Sequence, residues 1–222
     1  MEQYKRILLK EFDSKQKVIT ELINLEAILN LPKGTELYLS DIHGEFEAFD
    51  YILRTCAGNL NEKINDCFGE KLSKEEKDKL TLLIAYPQEV LSDGFLYPLK
   101  DKRWYGEIIQ NLLTLLAFVA AKYTRSKVRK ALPPQYAYVI EELLYTDRNL
   151  PDSNIYFETI QNYLIDLGEA SQFISALAKV IRQLIIDHLH IVGDIFDRGA
   201  AADKVMNEIM AYHSVDIQWG NH

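Results

Sequence analysis

Cysteine is scarce: only Cys56 and Cys67 occur in 222 residues, and their spacing fits neither a zinc knuckle nor a redox motif. No disulfide framework follows, and a reduced, cytoplasmic setting is the expectation. Basic residues are also in deficit. Lys and Arg number 25 against 33 Asp and Glu, giving a formal net charge of −8 and a pI near 5.2. That balance argues against general nucleic-acid binding, which shows a basic footprint. It leaves room for a phosphate ligand, because bound metals reverse the local sign. Long hydrophobic runs are missing too. The longest, Leu112 to Ala121 with Thr114 inside it, falls far below the ~20 residues a bilayer crossing needs. No membrane partner is expected, and the charged opening Met1-Glu-Gln-Tyr-Lys-Arg6 is unlike a signal peptide. There is no internal repeat and no low-complexity tract.

What is present suffices for a folded core: 48% of residues are hydrophobic, and the length allows one large domain or a domain carrying an insertion. Residues from about 3 to 30 show helical periodicity, with Ile7, Leu8, Val18, Ile19, Leu22, Ile23, Leu25 and Ile28 marking an apolar stripe that Pro32 and Gly34 end. Thr35 to Ser40 reads as a strand, Asp41 to Gly44 as the loop leaving it, and a helix follows from about Glu45 to Gly58. From 59 to 180 helices follow one another, divided by Pro87, Pro133-Pro134, Pro151 and Gly168. Ser73-Lys-Glu-Glu76 has the form of a capping box. The stretch from Trp104 to Thr124 is so apolar that it should be the centre of this helical region. Strand character returns at His188 to Gly193, a helix is expected from about Ala202 to Tyr212, and Val215 to Trp219 is a last strand. The outline is an α/β chain: 1–58 as strand and helix, 59–180 as a helical insertion, and 181–222 as strand, helix and strand.

Three short stretches carry chemistry, each directly after an expected strand. In Gly193-Asp-Ile-Phe-Asp-Arg-Gly199, Asp194 and Asp197 suit a hard cation, and the planar fork of Arg198 can hold phosphate oxygens bidentately. The alternative is a helix-entry turn capped by either Asp. Five specified positions at one strand-to-helix junction favour function. Asp41-Ile-His43 offers one oxygen and one imidazole that can converge on a divalent metal in the manganese, iron or zinc range; alone, a turn cap and a surface histidine is the commoner meaning. Gly220-Asn-His222 offers a carbonyl oxygen and a proton, and alone would be a turn. Three such stretches, each at the strand end where open α/β sheets bind ligands, read together as part of a two-metal phosphoesterase site.

Other polar residues have plainer readings. His188 and His190 alternate with Leu189 and Ile191 and so share a strand face; they could be ligands, but satisfied core or interlayer histidines are preferred. His213 at a helix end is explained by the helix dipole. The basic run from Lys122 to Lys130 is a solvated helix end or a subunit contact in preference to a phosphate site.

Asp-x-His-Gly, Gly-Asp-x-x-Asp-Arg-Gly and Gly-Asn-His together resemble the leading signature of the calcineurin-like metallophosphoesterases. More narrowly, the chain resembles a class III fructose-1,6-bisphosphatase of the Firmicutes type. That likeness covers nearly the whole chain and includes Asn30-Leu-Pro-Lys-Gly-Thr35, Arg129-Lys-Ala-Leu-Pro133, Glu141-Glu-Leu-Leu-Tyr145 and Asp187-His-Leu-His-Ile191. The resemblance implies a partial metallophosphoesterase sandwich (α/β/β/α) with a large all-helical insertion. It implies two Mn2+ ions, with Asp41 and His43 on the first, Asp194 bridging both and Asn221 on the second. A shared anion is needed there, since two dications ~4 Å apart repel by on the order of 15 kcal/mol at an effective dielectric of 20. It further implies that a hydroxide held at the metals attacks phosphorus, that Arg198 and Asn221 bind the phosphoryl group, that His222 protonates the leaving oxygen and that Asp197 orients His222. Arg125 or Arg129 could meet the second phosphate of a sugar bisphosphate.

The chain departs from the family pattern at Ala200, where proline usually follows Asp-Arg-Gly, and at His222, where the sequence stops before further histidine ligands. The expectation is therefore the N-terminal portion of a cytoplasmic, gluconeogenic hydrolase that has little or no activity by itself. A homo-oligomer is compatible with the sequence. The rival readings are a phosphoprotein or dinucleoside-polyphosphate phosphatase sharing the motifs, and a non-catalytic fragment acting as an interaction module.

Overall fold

A computed structural model describes residues 2–146 and 151–220, apart from 93 and 95. The chain is α/β and mostly helical, with one small parallel sheet. Two helices open it, α1 (Glu2–Glu11) and α2 (Lys15–Asn30), followed by strand β1 (Thr35–Leu39) and helix α3 (Phe46–Arg54). A 3-10 turn at Cys56–Gly58 leads into α4 (Asn59–Phe68), α5 (Lys74–Ala85), α6 (Pro87–Ser92), α7 (Lys102–Ala120), α8 (Arg125–Ala131), α9 (Ala137–Tyr145), α10 (Pro151–Asp166) and α11 (Ala170–Ile185). Then come β2 (Ile186–Val192), α12 (Ala202–Ala211) and β3 (Val215–Gln218).

The helices form where local chemistry supports them. At α5 the Ser73 hydroxyl accepts from the Glu76 N–H (3.2 Å) while the Glu76 carboxylate accepts from the Ser73 N–H (2.7 Å), so two otherwise free backbone donors are satisfied. Helix α7, apolar on most sides, is the hub of the main core, with Leu112, Leu113, Leu115 and Leu116 fully buried against α11 and its neighbours. Each such side chain contributes roughly 1.5–3 kcal/mol. Helix α11 runs into β2 without an intervening loop, which ties the helical core to the sheet.

Four features differ from the periodicity. The N-terminal helical stretch is broken after Glu11 and restarts at Lys15, because the Ser14 hydroxyl accepts from the Lys17 N–H and caps a new helix. The apolar stripe of α2 has no buried residue; Ile23 and Leu29 stand exposed. The basic run at 125–131 is a short helix of its own, and β2 begins two residues earlier than the alternation suggested.

The sheet has the order β1-β2-β3, all parallel. One face presents Leu37, Leu39, Leu189, Ile191 and Val215 to a second core cluster containing Phe49 of α3 and Val205 and Ile209 of α12. The other face, by the same register, carries Glu36 and Tyr38 beside His188 and His190, with Asp216 opposite His190. Parallel strands bring all three C-terminal ends to one edge, and there the loops of interest meet.

Candidate metal centre

The loops after β1 and β2 are bound to each other through their backbones. The His43 N–H donates to the Asp194 carbonyl (2.9 Å), the Gly44 N–H to the Ile195 carbonyl (2.8 Å) and the Gly199 N–H to the His43 carbonyl (2.6 Å). Residues 150 or so apart in sequence are thereby held in one frame. Gly44, at φ +71°, lies so close to Gly199 that a Cβ would sit 2.7 Å from its carbonyl oxygen. The third loop presses on the same spot. A Cβ on Gly220 would fall 2.6 Å from Asp194 Oδ1 and 2.5 Å from its backbone nitrogen, so only glycine allows this approach.

Backbone strain is concentrated here. Among the described residues, Asp41, His43, Asp194, Asp197 and Arg198 all have positive φ, between 49° and 63°. A left-handed conformation costs a non-glycine residue on the order of 1 kcal/mol, and backbone hydrogen bonds at His43, Asp194 and Asp197 help hold that stretch in place.

Asp41, His43 and Asp194 each offer a ligand atom, and these atoms lie within 4.8 Å of one another. His43 is buried, with Nε2 3.6 Å from Asp41 Oδ1 and Nδ1 2.5 Å from Asp197 Oδ1. The Asp197 hydrogen bond raises the His43 pKa above its ordinary 6.5, against the opposing effect of burial. The Ser40 hydroxyl, donating to Asp41 at 2.7 Å, lowers the Asp41 pKa below its usual 3.8. Asp194 Oδ1 is buried without a hydrogen-bond partner among the described residues. A buried carboxylate oxygen left unpaired is unusual and costs more than a neutral group would. The donor set of two carboxylates and one imidazole, with one oxygen awaiting a partner, fits a divalent cation of the manganese, iron or zinc range.

The other expected site residues divide. Arg198 is on the same loop, 70% exposed along its side chain, with Nε 3.7 Å from Asp197 Oδ2. Asp197, expected to orient His222, has its carboxylate on His43, a pairing across 154 positions that no local pattern announces. Asn221 and His222 lie outside the described residues. Arg125 and Arg129 are not brought to this edge. Arg129 pairs with Glu141 (2.7 Å) and Arg125 stacks over Tyr145 (4.9 Å), while neighbouring Lys127 is anchored to Asp187 at the opposite end of β2. Asp187 and Asp194 are seven positions apart along β2 and its exit, roughly 20 Å. His213 also differs from its dipole reading: burial pushes its pKa below 6.5, and Nε2 contacts the Asp187 carbonyl at 3.1 Å.

A cleft of about 1090 Å³ lies elsewhere, lined by Arg54, Pro133, Lys179, Arg182 and Tyr212 among others, and by none of the three ligand-type residues. The ligand-type residues sit at the sheet edge, apart from this cleft.

The family described as Firmicute fructose-1,6-bisphosphatase matches residues 3–222. A class 3 fructose-1,6-bisphosphatase of Streptococcus gordonii is 67% identical over 222 residues, covering all of this chain and 34% of the relative. Relatives of the same name from Listeria monocytogenes and Staphylococcus haemolyticus are 50% identical over 221 residues and 47% identical over 224, again covering 34% of their length. The chain thus spans about a third of the curated relatives it matches. No solved structure matches it.

Proposed function

We propose, for a chain that belongs to the Firmicute fructose-1,6-bisphosphatase family, that its sheet edge is part of a metal-dependent site removing the 1-phosphate of fructose 1,6-bisphosphate. Water is added, the bond from phosphorus to the sugar C1 oxygen breaks, and fructose 6-phosphate and inorganic phosphate leave. The carrying observation is the buried Asp194 oxygen, without a partner among the described residues, beside Asp41 and His43. Asp41 and His43 would hold one Mn2+, Asp194 would face both ions of a pair, and Asn221 would serve the second. When bound, such a pair supplies Lewis acidity and an activated water.

The chain's own residues do the rest. Asp197 keeps a proton on His43 Nδ1, which leaves the Nε2 lone pair free for a ligand bond. Arg198, on the same loop and open to solvent, would grip phosphoryl oxygens. His222 would protonate the departing sugar oxygen. The sugar rather than a phosphoprotein or dinucleotide is supported by the name class 3 fructose-1,6-bisphosphatase that the Streptococcus and Listeria relatives carry.

In this reading 1–58 and 181–222 are the start of a metallophosphoesterase sandwich and 59–180 is a helical insertion. The separate clustering of Phe49, Ile191 and Val205 away from the α7 core supports that division. No helix among the described residues is long and apolar enough to cross a membrane, in keeping with a cytoplasmic enzyme of gluconeogenesis. The test is manganese-dependent phosphate release in a form of full family length. Fructose 1,6-bisphosphate should be preferred over a phosphoserine peptide or a dinucleoside polyphosphate, and Asp194→Asn should lower turnover at least ~100-fold, the scale of an essential electrostatic group. Undiminished turnover in that variant overturns the proposal.

A further inference from the structure

The open face of the sheet carries a second convergence of ligand-type side chains, away from the strand ends. His188 and His190 stand two residues apart on β2, and the register sets Asp216 of β3 beside His190. Donor atoms of the three lie within 4.8 Å of one another. His190 Nδ1 is 2.9 and 3.0 Å from the two Asp216 oxygens, and His188 Nε2 is 3.4 Å from Oδ2. The other nitrogen of each ring already has an outer partner. His188 Nδ1 is 2.7 Å from Ser214 Oγ, and His190 Nε2 is 3.3 Å from Glu36 Oε2. The Tyr38 ring stacks on His190 at 4.2 Å and 12°, which fixes the plane of the imidazole.

One nitrogen aimed inward and the other held by an outer oxygen is how ligating histidines are arranged. His190 faces carboxylates on both sides, Asp216 at Nδ1 and Glu36 at Nε2. With a cation at Nδ1, the Nε2–H donates to Glu36. The geometry points to a second metal site, in which His188, His190 and Asp216 bind one divalent ion of the zinc type and tie the four-residue edge strand β3 to β2. Two imidazoles and one carboxylate, with water in the open position, suit zinc better than magnesium or calcium. The site is distinct from the Asp194 cluster, since His190 precedes Asp194 by four residues, roughly 13 Å along the chain.

Zinc alone is the probe, measured by equilibrium dialysis and elemental analysis on the 222-residue chain. A chain carrying His43→Ala and Asp194→Asn, which disables the edge cluster, is expected to retain one zinc. Adding Asp216→Asn, at a half-exposed position where the amide keeps the shape of the carboxylate, should weaken uptake at least tenfold. Adding His188→Ala with His190→Ala should abolish it. Cobalt in place of zinc should give visible absorption bands that vanish in the same variants. If the His43→Ala, Asp194→Asn chain takes up no zinc, or if Asp216→Asn and the double histidine variant bind as tightly as it does, the site does not exist.

Discussion

Asp194 concentrates the physical tension of the molecule in one oxygen atom. Oδ1 is out of water and without a donor among the described residues, so the carboxylate is a liability until a cation arrives. Asp194→Asn should leave the metal-free chain within ~1 kcal/mol of the parent or above it, since no hydrogen bond to that oxygen is lost. The rise in melting temperature on adding manganese should disappear in the variant; thermal melts with and without the metal check both statements. His43 yields a prediction of opposite slopes. Its folded pKa is raised above 6.5, chiefly by the Asp197 hydrogen bond. Its own contribution to folding is therefore full below the unfolded value and is lost as pH rises through the folded one. Metal binding needs the neutral ring, so manganese affinity should climb over that same interval. Asp197→Asn should move the midpoint of the affinity profile down toward 6.5, read by metal titrations at pH steps on either side of it.

At the scale of elements, capping chemistry was legible in the sequence and tertiary placement was not. Ser73 and Glu76 spell a capping box, and the structure contains it. Ser73→Ala should cost about 1 kcal/mol, measurable as a shift in the denaturant midpoint with unchanged slope. The apolar stripe of α2 was equally visible, but periodicity names an apolar face without naming what lies against it, and nothing in the described residues buries it. Helix α8 went unread because seven residues, four of them basic, carry too little pattern. Gly220 shows a turn glycine doing a second task. Gly220→Ala would drive a methyl group into Asp194, so manganese affinity should fall at least tenfold while the helical content, followed by circular dichroism, stays at the parental level.

Across the whole molecule, the three motifs were readable because each follows a strand, and a parallel sheet delivers strand ends to a common edge. The order β1-β2-β3 does so with the first two loops hydrogen-bonded together. The Asp197–His43 pair was not readable, because it depends on two loops separated by the entire helical region closing on each other. Nor could spacing show that Arg125 and Arg129 belong to the far end of β2, where Lys127 meets Asp187. The most direct test of the central claim is anomalous diffraction from crystals of the chain grown with manganese. A peak is expected within coordination distance of Asp41, His43 and Asp194, and it should be lost in Asp194→Asn. Manganese density absent from that edge, or unchanged in the variant, would contradict the account.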